Sequence, residues 1–181
     1  MANNQLIRKK VAEKLSYHRM QHTLGVEMVA MQLAKLHGVK MENVFVANGS
    51  DDILNFAFMV FGADGCAYPD ISYGFYSVFA QRNGVRSTVV PLREDFSLAP
   101  KDYFGIGKTV VFANPNAPTG LAISPEDIDE ICRTNPGHVV LVDEAYVDFG
   151  AQSCMPLVER YENLLVVRTF SKSRQMAGAR L

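Results

Sequence analysis

Lys172 is the residue of this sequence best placed to form a covalent bond, since it follows the apolar run 164–167 in a segment rich in hydroxyl groups. A lysine at the end of a strand, beside other cations and partly removed from water, can have a lowered pKa and then attack a carbonyl to form an imine. Thr169, Ser171 and Arg180 provide hydroxyl donors and a guanidinium, which are the groups that bind a phosphate. A lone Ser–Lys pair usually belongs to an exposed polar loop, so the interpretation depends on the other motifs.

A second candidate site is Asn48-Gly49-Ser50-Asp51, which stands between an apolar run and a helical pattern. The first turn of a helix has free backbone N–H groups and the positive end of the helix dipole. Gly49 would let the backbone come close to an anion. The alternative is that Ser50 or Asp51 only caps the helix, and the two roles can coexist.

Asp143 directly follows the apolar run 139–142, which is typical of a buried strand. A buried carboxylate needs a partner. The pyridinium nitrogen of pyridoxal phosphate is such a partner, because an aspartate keeps that nitrogen protonated and the ring able to accept electrons. Helix capping and metal binding in a nucleotide hydrolase are the alternatives, but the sequence has no GxxxxGK[ST] loop for the latter.

Two further segments add groups to this set. In 114–120, two prolines and a glycine fix a turn, so that Asn116 would point its amide at a defined spot. The segment 68–76 is rich in aromatic residues, of which Tyr73 could stack on a planar cofactor. We expect Phe75 and Tyr76 to pack in the core. Each segment could also be purely structural.

The elements that must position these residues follow from the pattern of apolar residues. Helices are expected at 3–15, 27–37 (ended by Gly38), 73–82 and after the capping pattern at Ser124, and strands at 44–47, 65–68, 87–91, 109–113, 139–142 and 164–167. Such an alternation predicts an α/β fold, a three-layer sandwich of a mainly parallel sheet with helices on both faces. The polar segments follow strands, so we expect them to meet at one edge of the sheet.

Composition limits the classes of function. A chain of 181 residues has room for one α/β domain, and its net charge of −1 with mixed acids and bases suggests no nucleic-acid or membrane partner. The three cysteines show no CxxC or zinc-like spacing, which favours buried thiols and no metal site. We see no leader and no long apolar run, so we expect a cytoplasmic protein.

Taken together, the motifs resemble the fold type I pyridoxal-phosphate aminotransferases, and within them the histidinol-phosphate aminotransferase family. The resemblance runs from about Gly38 to Leu181 and is carried by NGSDDIL, YPDISYGFY, NPNAPTG, VDEAYVDF and RTFSKSRQMAGAR. It implies pyridoxal 5'-phosphate as cofactor and transamination from an amino donor such as histidinol phosphate to 2-oxoglutarate, in histidine biosynthesis. It also implies a homodimer with the site at the subunit interface.

The resemblance assigns a role to each matching residue. Lys172 would hold the cofactor as an imine and carry protons, Asp143 would bind the pyridine nitrogen, Asn116 and Tyr146 the phenolic oxygen, and Tyr73 would stack on the ring. The cofactor phosphate would lie among Gly49, Ser50, Asp51, Thr169, Ser171 and Arg180. Tyr17 would correspond to a tyrosine that reaches the partner subunit, although the proline usual after it is absent here.

The chain departs from the family in length. Members are about twice as long, so the expected organisation is an N-terminal helical arm over 1–40 and a cofactor-binding large domain over 41–181, without the C-terminal small domain. That domain normally provides the arginine that grips the substrate. An antiparallel strand after Arg180 would also be missing, which would leave a gap or an exposed sheet edge. The alternatives are a threonine-phosphate-type decarboxylase, an inactive fragment that keeps the fold, and a phosphate-binding module without chemistry.

Overall fold

The computed structural model describes residues 9–179, which divide into two compact units with a boundary between Val46 and Ala47. The division that we expected from the sequence, between 40 and 41, stays a prediction. Arg180, one of the expected phosphate ligands, lies outside the described residues. Within the described part of the chain, no helix is both long enough and apolar enough to span a membrane.

The described part of the first unit is mainly helical, and residues 3–8 of the helix predicted at 3–15 lie outside it. Residues 9–12 form a helical turn, helix α1 spans Tyr17–His37, and a 3₁₀ turn covers Met41–Asn43. Gly38 ends α1 in the left-handed conformation, with φ 67°, as the sequence predicts. The predicted start of this helix at 27 is wrong by ten residues, since Gly25 does not interrupt the helix and its first turn begins at Tyr17.

The predicted strand at 44–47 is also wrong. Val44 has the extended backbone of a strand, with φ −113° and ψ 121°, and Phe45 is exposed. A run of β conformation becomes a strand only when a neighbouring strand satisfies its backbone hydrogen bonds. Among the described residues, 44–47 has no such neighbour.

The second unit is built on a parallel five-stranded sheet with the order β2-β1-β3-β4-β5. The strands are β1 Cys66–Pro69, β2 Ser87–Val90, β3 Thr109–Ala113, β4 Val140–Asp143 and β5 Leu164–Val167, and the helices are α2 Ser50–Phe61, α3 Phe75–Arg82 and α4 Pro125–Thr134. Neighbouring strands pair along their length, for example Val110 with Val140 and Val140 with Leu164. The pairing of β1 with β3 stops after Ala67 and Val110.

Alternate residues of β1, β3, β4 and β5 enter two different cores, as expected for a sheet covered on both faces. Val110 and Phe112 of β3 pack in the cluster that contains Ile128 of α4. Val111, between them, packs in the other cluster with Leu54 of α2, and that cluster also contains Tyr76 and Phe79 of α3. The predicted three-layer α/β architecture with a parallel sheet and helices on both faces is therefore confirmed.

Two local predictions agree with the structure in detail. Ser124 caps α4 in a capping box, because its side chain accepts the Asp127 N–H while the Asp127 carboxylate accepts the Ser124 N–H. Cys66, Cys132 and Cys154 are free and buried, and burial raises the pKa of each thiol, to about 12 for Cys132. The thiols are therefore protonated packing groups and not nucleophiles.

Candidate active site

An open cleft of about 120 Å³ lies at the carboxyl edge of the sheet. It is lined by Gly49, Ser50, Asp51, Tyr73, Ala113, Ala117, Asp143, Ala145, Tyr146, Thr169, Ser171 and Lys172. Apart from the three alanines, every lining residue is a site residue that we expected from the sequence. In open α/β sheets, ligands bind where the order of the strands reverses. Here the reversal lies between β1 and β3, whose pairing stops short of this edge.

Asp143, the last residue of β4, is a buried carboxylate at this edge and is only 5% exposed. The Tyr76 hydroxyl donates to its Oδ2 at 3.0 Å, and the Ala145 N–H donates to its Oδ1 at 3.1 Å. Burial raises the pKa of Asp143 to about 6, although these two hydrogen bonds and the charge of Lys172 act in the opposite direction. Among the described residues, no cation forms an ion pair with this carboxylate.

Lys172 follows β5 and reaches the same cleft. Its Nζ lies over the Tyr146 ring, 5.3 Å from the centroid, which is a cation–π contact. Tyr146 follows β4, so the contact joins the loops of two neighbouring strands. We expected Lys172 to be partly desolvated, and this is wrong in the described chain because the side chain is exposed. The cleft is open, and water reaches the ammonium.

The other end of the cleft begins at the first turn of α2. Gly49 is the N-cap residue of the helix, with φ 89°, a conformation that favours glycine, and Ser50 and Asp51 lie inside the helix and not at its cap position. The capping alternative for Ser50 and Asp51 is therefore wrong. The Asp51 carboxylate accepts the Tyr73 hydroxyl at 3.0 Å. Because a carboxylate cannot donate to an anion, the group of Asp51 that could bind one is its backbone N–H.

Two hydroxyl groups also line the cleft. Thr169 and Ser171 both line it, and the Ser171 N–H donates to the Thr169 Oγ1 at 3.2 Å. The Thr169 hydroxyl proton is not used in that bond. The side chains and the helix terminus together can therefore donate several hydrogen bonds to one anion.

Tyr73 lies between Asp51 and the aromatic residues at the start of α3. Its ring is stacked on Phe75, with centroids 5.6 Å apart, and meets Tyr76 edge to face at 5.7 Å. Burial and the neighbouring Asp51 raise the pKa of Tyr73 to about 12, so its hydroxyl stays protonated and donates. The expected core position of Phe75 is wrong, since its side chain is 48% exposed.

Asn116 is close to the cleft but does not line it; its neighbour Ala117 does. The Asn116 Nδ2 donates to the Ile71 carbonyl at 2.9 Å and to the Thr119 hydroxyl at 3.2 Å, which uses both amide hydrogens. The buried Oδ1 has no partner. Asn116 therefore offers an acceptor, and its expected contact with a phenolic oxygen requires that oxygen to be protonated.

Tyr76 is the contact at this site that we did not expect from the sequence. It is fully buried, as predicted, but its hydroxyl ends on Asp143, 67 residues away along the chain. Burial beside Asp143 raises the pKa of Tyr76 well above its usual value, so it stays a donor. A search for the partner that a buried aspartate requires could have raised the possibility.

A carboxylate, an amine and an anion-binding end in one cleft are the groups that the motif resemblance requires. A family model described as "Aminotransferase class I and II" matches residues 2–181. The chain belongs to this family. Aminotransferases of this family depend on pyridoxal 5'-phosphate.

Several curated relatives of this chain are histidinol-phosphate aminotransferases. The histidinol-phosphate aminotransferase of Lactococcus lactis subsp. cremoris is 44% identical over 165 residues, which cover 90% of this chain and 46% of the relative. That of a Marinomonas species is 50% identical over 152 residues, 82% of this chain and 43% of the relative. The chain therefore spans about half the length of the curated aminotransferases it matches.

Solved structures show the same fold. The histidinol-phosphate aminotransferase from Clostridium acetobutylicum superposes with a TM-score of 0.76 at 21% identity, covering 85% of this chain and 48% of that one. The L-threonine-O-3-phosphate decarboxylase from Porphyromonas gingivalis has a TM-score of 0.75 at 21% identity, covering 86% and 47%. Because the two values are nearly equal, the fold does not separate the two activities.

Proposed function

We propose that this chain is the cofactor-binding part of a histidinol-phosphate aminotransferase, which transfers an amino group from histidinol phosphate to 2-oxoglutarate in histidine biosynthesis. The curated relatives at 44% and 50% identity, both named as that enzyme, support the choice of substrate. The presence of Lys172 and Asp143 in one cleft is the observation that carries the proposal. An amine that can bind an aldehyde there lies near a buried acid that can bind a ring nitrogen.

The residues present fit pyridoxal phosphate. Asp143 is a buried carboxylate with no cation paired to it in the described part of the chain, and its raised pKa indicates that burial disfavours its charge. A protonated ring nitrogen would supply the missing positive charge. The cleft is also lined by the first turn of α2, which begins at Ser50, and by Thr169 and Ser171, so it contains a set of donors for a phosphate.

The functional side chains in and beside the cleft each have a part in the proposed reaction. When bound, pyridoxal phosphate supplies an electron-accepting ring that stabilises negative charge on the substrate carbon. Lys172 would bind the aldehyde and then move the proton between carbon atoms of substrate and cofactor. Asp143 would keep the ring nitrogen protonated, and Tyr73 would pack against the ring. Tyr146 and the acceptor oxygen of Asn116 would hold the phenolic group.

The phosphate-binding set would be completed from residues that the sequence alone indicates. Arg180 matches the family's phosphate-binding arginine in the motif RTFSKSRQMAGAR. We further propose a cytoplasmic homodimer, as is typical of the family, in which Tyr17 reaches the partner subunit. Tyr17 is 73% exposed, so its ring is free to do so.

The decarboxylase alternative has weaker support. Its structural likeness to this chain is at 21% identity, a level that shows the fold alone. The two activities can be separated chemically with the cofactor-loaded protein. Release of carbon dioxide from phosphothreonine would indicate the decarboxylase, and loss of the amino group from histidinol phosphate would indicate the aminotransferase. If neither reaction occurs, the result would favour an inactive fragment.

The experiment that tests cofactor binding is chemical trapping on the 181-residue chain. The protein is mixed with pyridoxal phosphate, reduced with borohydride and digested, and mass spectrometry locates the added group. We expect it on the peptide that contains Lys172, together with a visible absorption band before reduction. Lys172→Ala should lose both signals. The control Lys101→Ala, an exposed lysine far along the chain, should keep them.

Two outcomes would contradict the proposal. One is labelling spread evenly over the surface lysines, and the other is a visible band that survives in Lys172→Ala. Asp143→Asn provides a second check, since it keeps the amine but removes the carboxylate. We expect this variant to bind the cofactor more weakly while its weaker adduct still maps to Lys172.

A further inference from the structure

Asp148 lies beside the cleft, in the 3₁₀ turn Val147–Phe149, and does not line it. Its carboxylate binds the segment that carries the lysine. The Arg168 Nη2 donates to Oδ1 at 2.6 Å, and the Ser173 hydroxyl donates to Oδ2 at 2.5 Å. The Arg174 Nε lies 3.4 Å from the same Oδ2. One acidic side chain therefore holds residues on both sides of Lys172.

Hydrogen bonds of the sheet do not hold the segment that carries Lys172. The β4–β5 ladder ends where Asp143 pairs with Val167, apart from one further bond from the Glu144 N–H to the Val167 carbonyl at 2.8 Å. Lys172 lies five residues beyond that point. In residues 168–176, which we call the lysine loop, the Gln175 N–H donates to the Lys172 carbonyl and the Met176 N–H to the Phe170 carbonyl. Those bonds join residues of the lysine loop to one another and do not attach it to residues 144–149, the loop that carries Tyr146.

Arg168 is itself held from a second side. Glu144, whose side chain is fully buried, lies 3.7 Å from the Arg168 Nε through its Oε2. The Glu144 carboxylate also accepts the Ser153 hydroxyl and the Cys154 N–H, each at 2.7 Å. A buried carboxylate with both oxygens hydrogen-bonded has one preferred position. Arg168 therefore contacts two carboxylates, the buried one of Glu144 and the partly exposed one of Asp148.

We propose that Asp148 is a positioning residue that holds the lysine loop against the loop of Tyr146, so that the Lys172 ammonium stays in the cleft. The contacts of Asp148 stand on their own. What the lysine does once positioned rests on the proposed function. Because the side chains held are the neighbours of Lys172 and not Lys172 itself, the amine is left free to react.

Amide hydrogen exchange on the cofactor-free 181-residue chain tests the contact directly. In Asp148→Asn, the amides of Gln175 and Met176 should exchange roughly five- to tenfold faster, the size expected for losing a charge-assisted bond at a partly exposed site. Ser173→Ala removes a single anchor and should show a smaller change in the same direction. This milder variant keeps the test decisive if Asp148→Asn unfolds.

Asp129→Asn is a matched control. Asp129 accepts from Arg160 at 2.6 Å and its side chain is 22% exposed, against 2.6 Å and 28% for Asp148, but Arg160 lies outside the segment that carries Lys172. Exchange at Gln175 and Met176 should be unchanged in the control. Equal acceleration in both aspartate variants, or none in Asp148→Asn and Ser173→Ala, would overturn the proposal.

Trapping with pyridoxal phosphate connects the contact to the lysine. In Asp148→Asn, labelling at Lys172 should be several-fold slower, and Asp148→Glu should recover part of the rate. Unchanged labelling alongside faster exchange would show that the contact holds the loop but not the amine, which contradicts the proposal. If the unsubstituted chain fails to label at Lys172, the proposed function fails, and the exchange comparison still decides the role of Asp148.

Discussion

Replacing Asp143 by asparagine should stabilise the cofactor-free protein at neutral pH while weakening cofactor binding. The structure gives the reason: Asp143 is buried, ionised near neutral pH and has no cationic partner among the described residues. Asparagine keeps the shape and removes the charge. Its Oδ1 can accept the Ala145 N–H, and its Nδ2 can donate to the Tyr76 hydroxyl, so neither neighbour is left without a partner.

The magnitude follows from the pKa of Asp143. Burial raises that pKa from 3.8 in an unfolded chain to about 6, so the folded state binds the proton more tightly. At about 1.4 kcal/mol per pKa unit, this difference contributes about 3 kcal/mol to the free energy of unfolding. The contribution is fully present below pH 3.8 and is lost as the pH rises through about 6. Asp143→Asn has no such group and should keep its stability.

Urea unfolding followed by circular dichroism measures this directly. We expect both proteins to be about equally stable near pH 4 and Asp143→Asn to be more stable by about 2–3 kcal/mol near pH 7. Taking the difference between the two proteins removes the contribution of every other titrating group. Asp148→Asn is a control of opposite sign, because hydrogen bonding by Ser173 and the charge of Arg168 hold the pKa of Asp148 below its usual value. That variant should be the less stable protein near neutral pH, by an amount that shrinks on acidification.

A difference between wild type and Asp143→Asn that stays flat from acid to neutral pH would refute the reasoning. So would a wild type that becomes more stable relative to the variant as the pH rises. Either result would mean that Asp143 is solvated or already paired with a cation. The fit of this site to a protonated ring nitrogen would then lose its main support.

Two further variants bear on the same site. Tyr76→Phe removes a hydrogen bond to a charged group, which contributes about 1.5–3 kcal/mol, and should raise the pKa of Asp143 by a further one to two units or so. In pH-dependent unfolding, the loss of stability should then continue to a higher pH than in wild type. An unchanged midpoint would argue against the contact. Gly49→Ala forces a side chain into φ 89° and should cost about 1–2 kcal/mol in thermal or urea unfolding, with weaker binding of inorganic phosphate. A variant as stable as wild type would show that the turn relaxes to another conformation.

Much of the fold could be predicted from local patterns. Strands 109–113 and 164–167 have the predicted bounds, since each is a short apolar run that can only be buried on both faces of a sheet. The capping box at Ser124 and the glycine end of α1 depend on residues within one turn of each other, so their chemistry is visible in the sequence. The prediction of a strand at 44–47 was wrong because a strand also needs a neighbouring strand to pair with.

For the candidate site, residue type and position after a strand were enough to indicate nearly all the lining residues. Parallel strands bring their carboxyl ends to one edge, so segments far apart in the chain must meet there. The identity of the groups, an amine, an acid and hydroxyl donors, then follows from the sequence alone. The exposure of the Lys172 side chain does not follow from the sequence alone. Lys172 is open to water, which depends on what surrounds the cleft.

Pairing between side chains was decided only by the tertiary structure. Tyr76 donates to Asp143 from 67 residues away, and Asp148 accepts from Arg168 and Ser173 on the next loop. Asn116 donates both amide hydrogens to neighbouring groups. A hydrogen bond requires its two atoms within a few tenths of an ångström of the right separation. Strand register and loop path set that separation, and both arise from the packing of the whole domain.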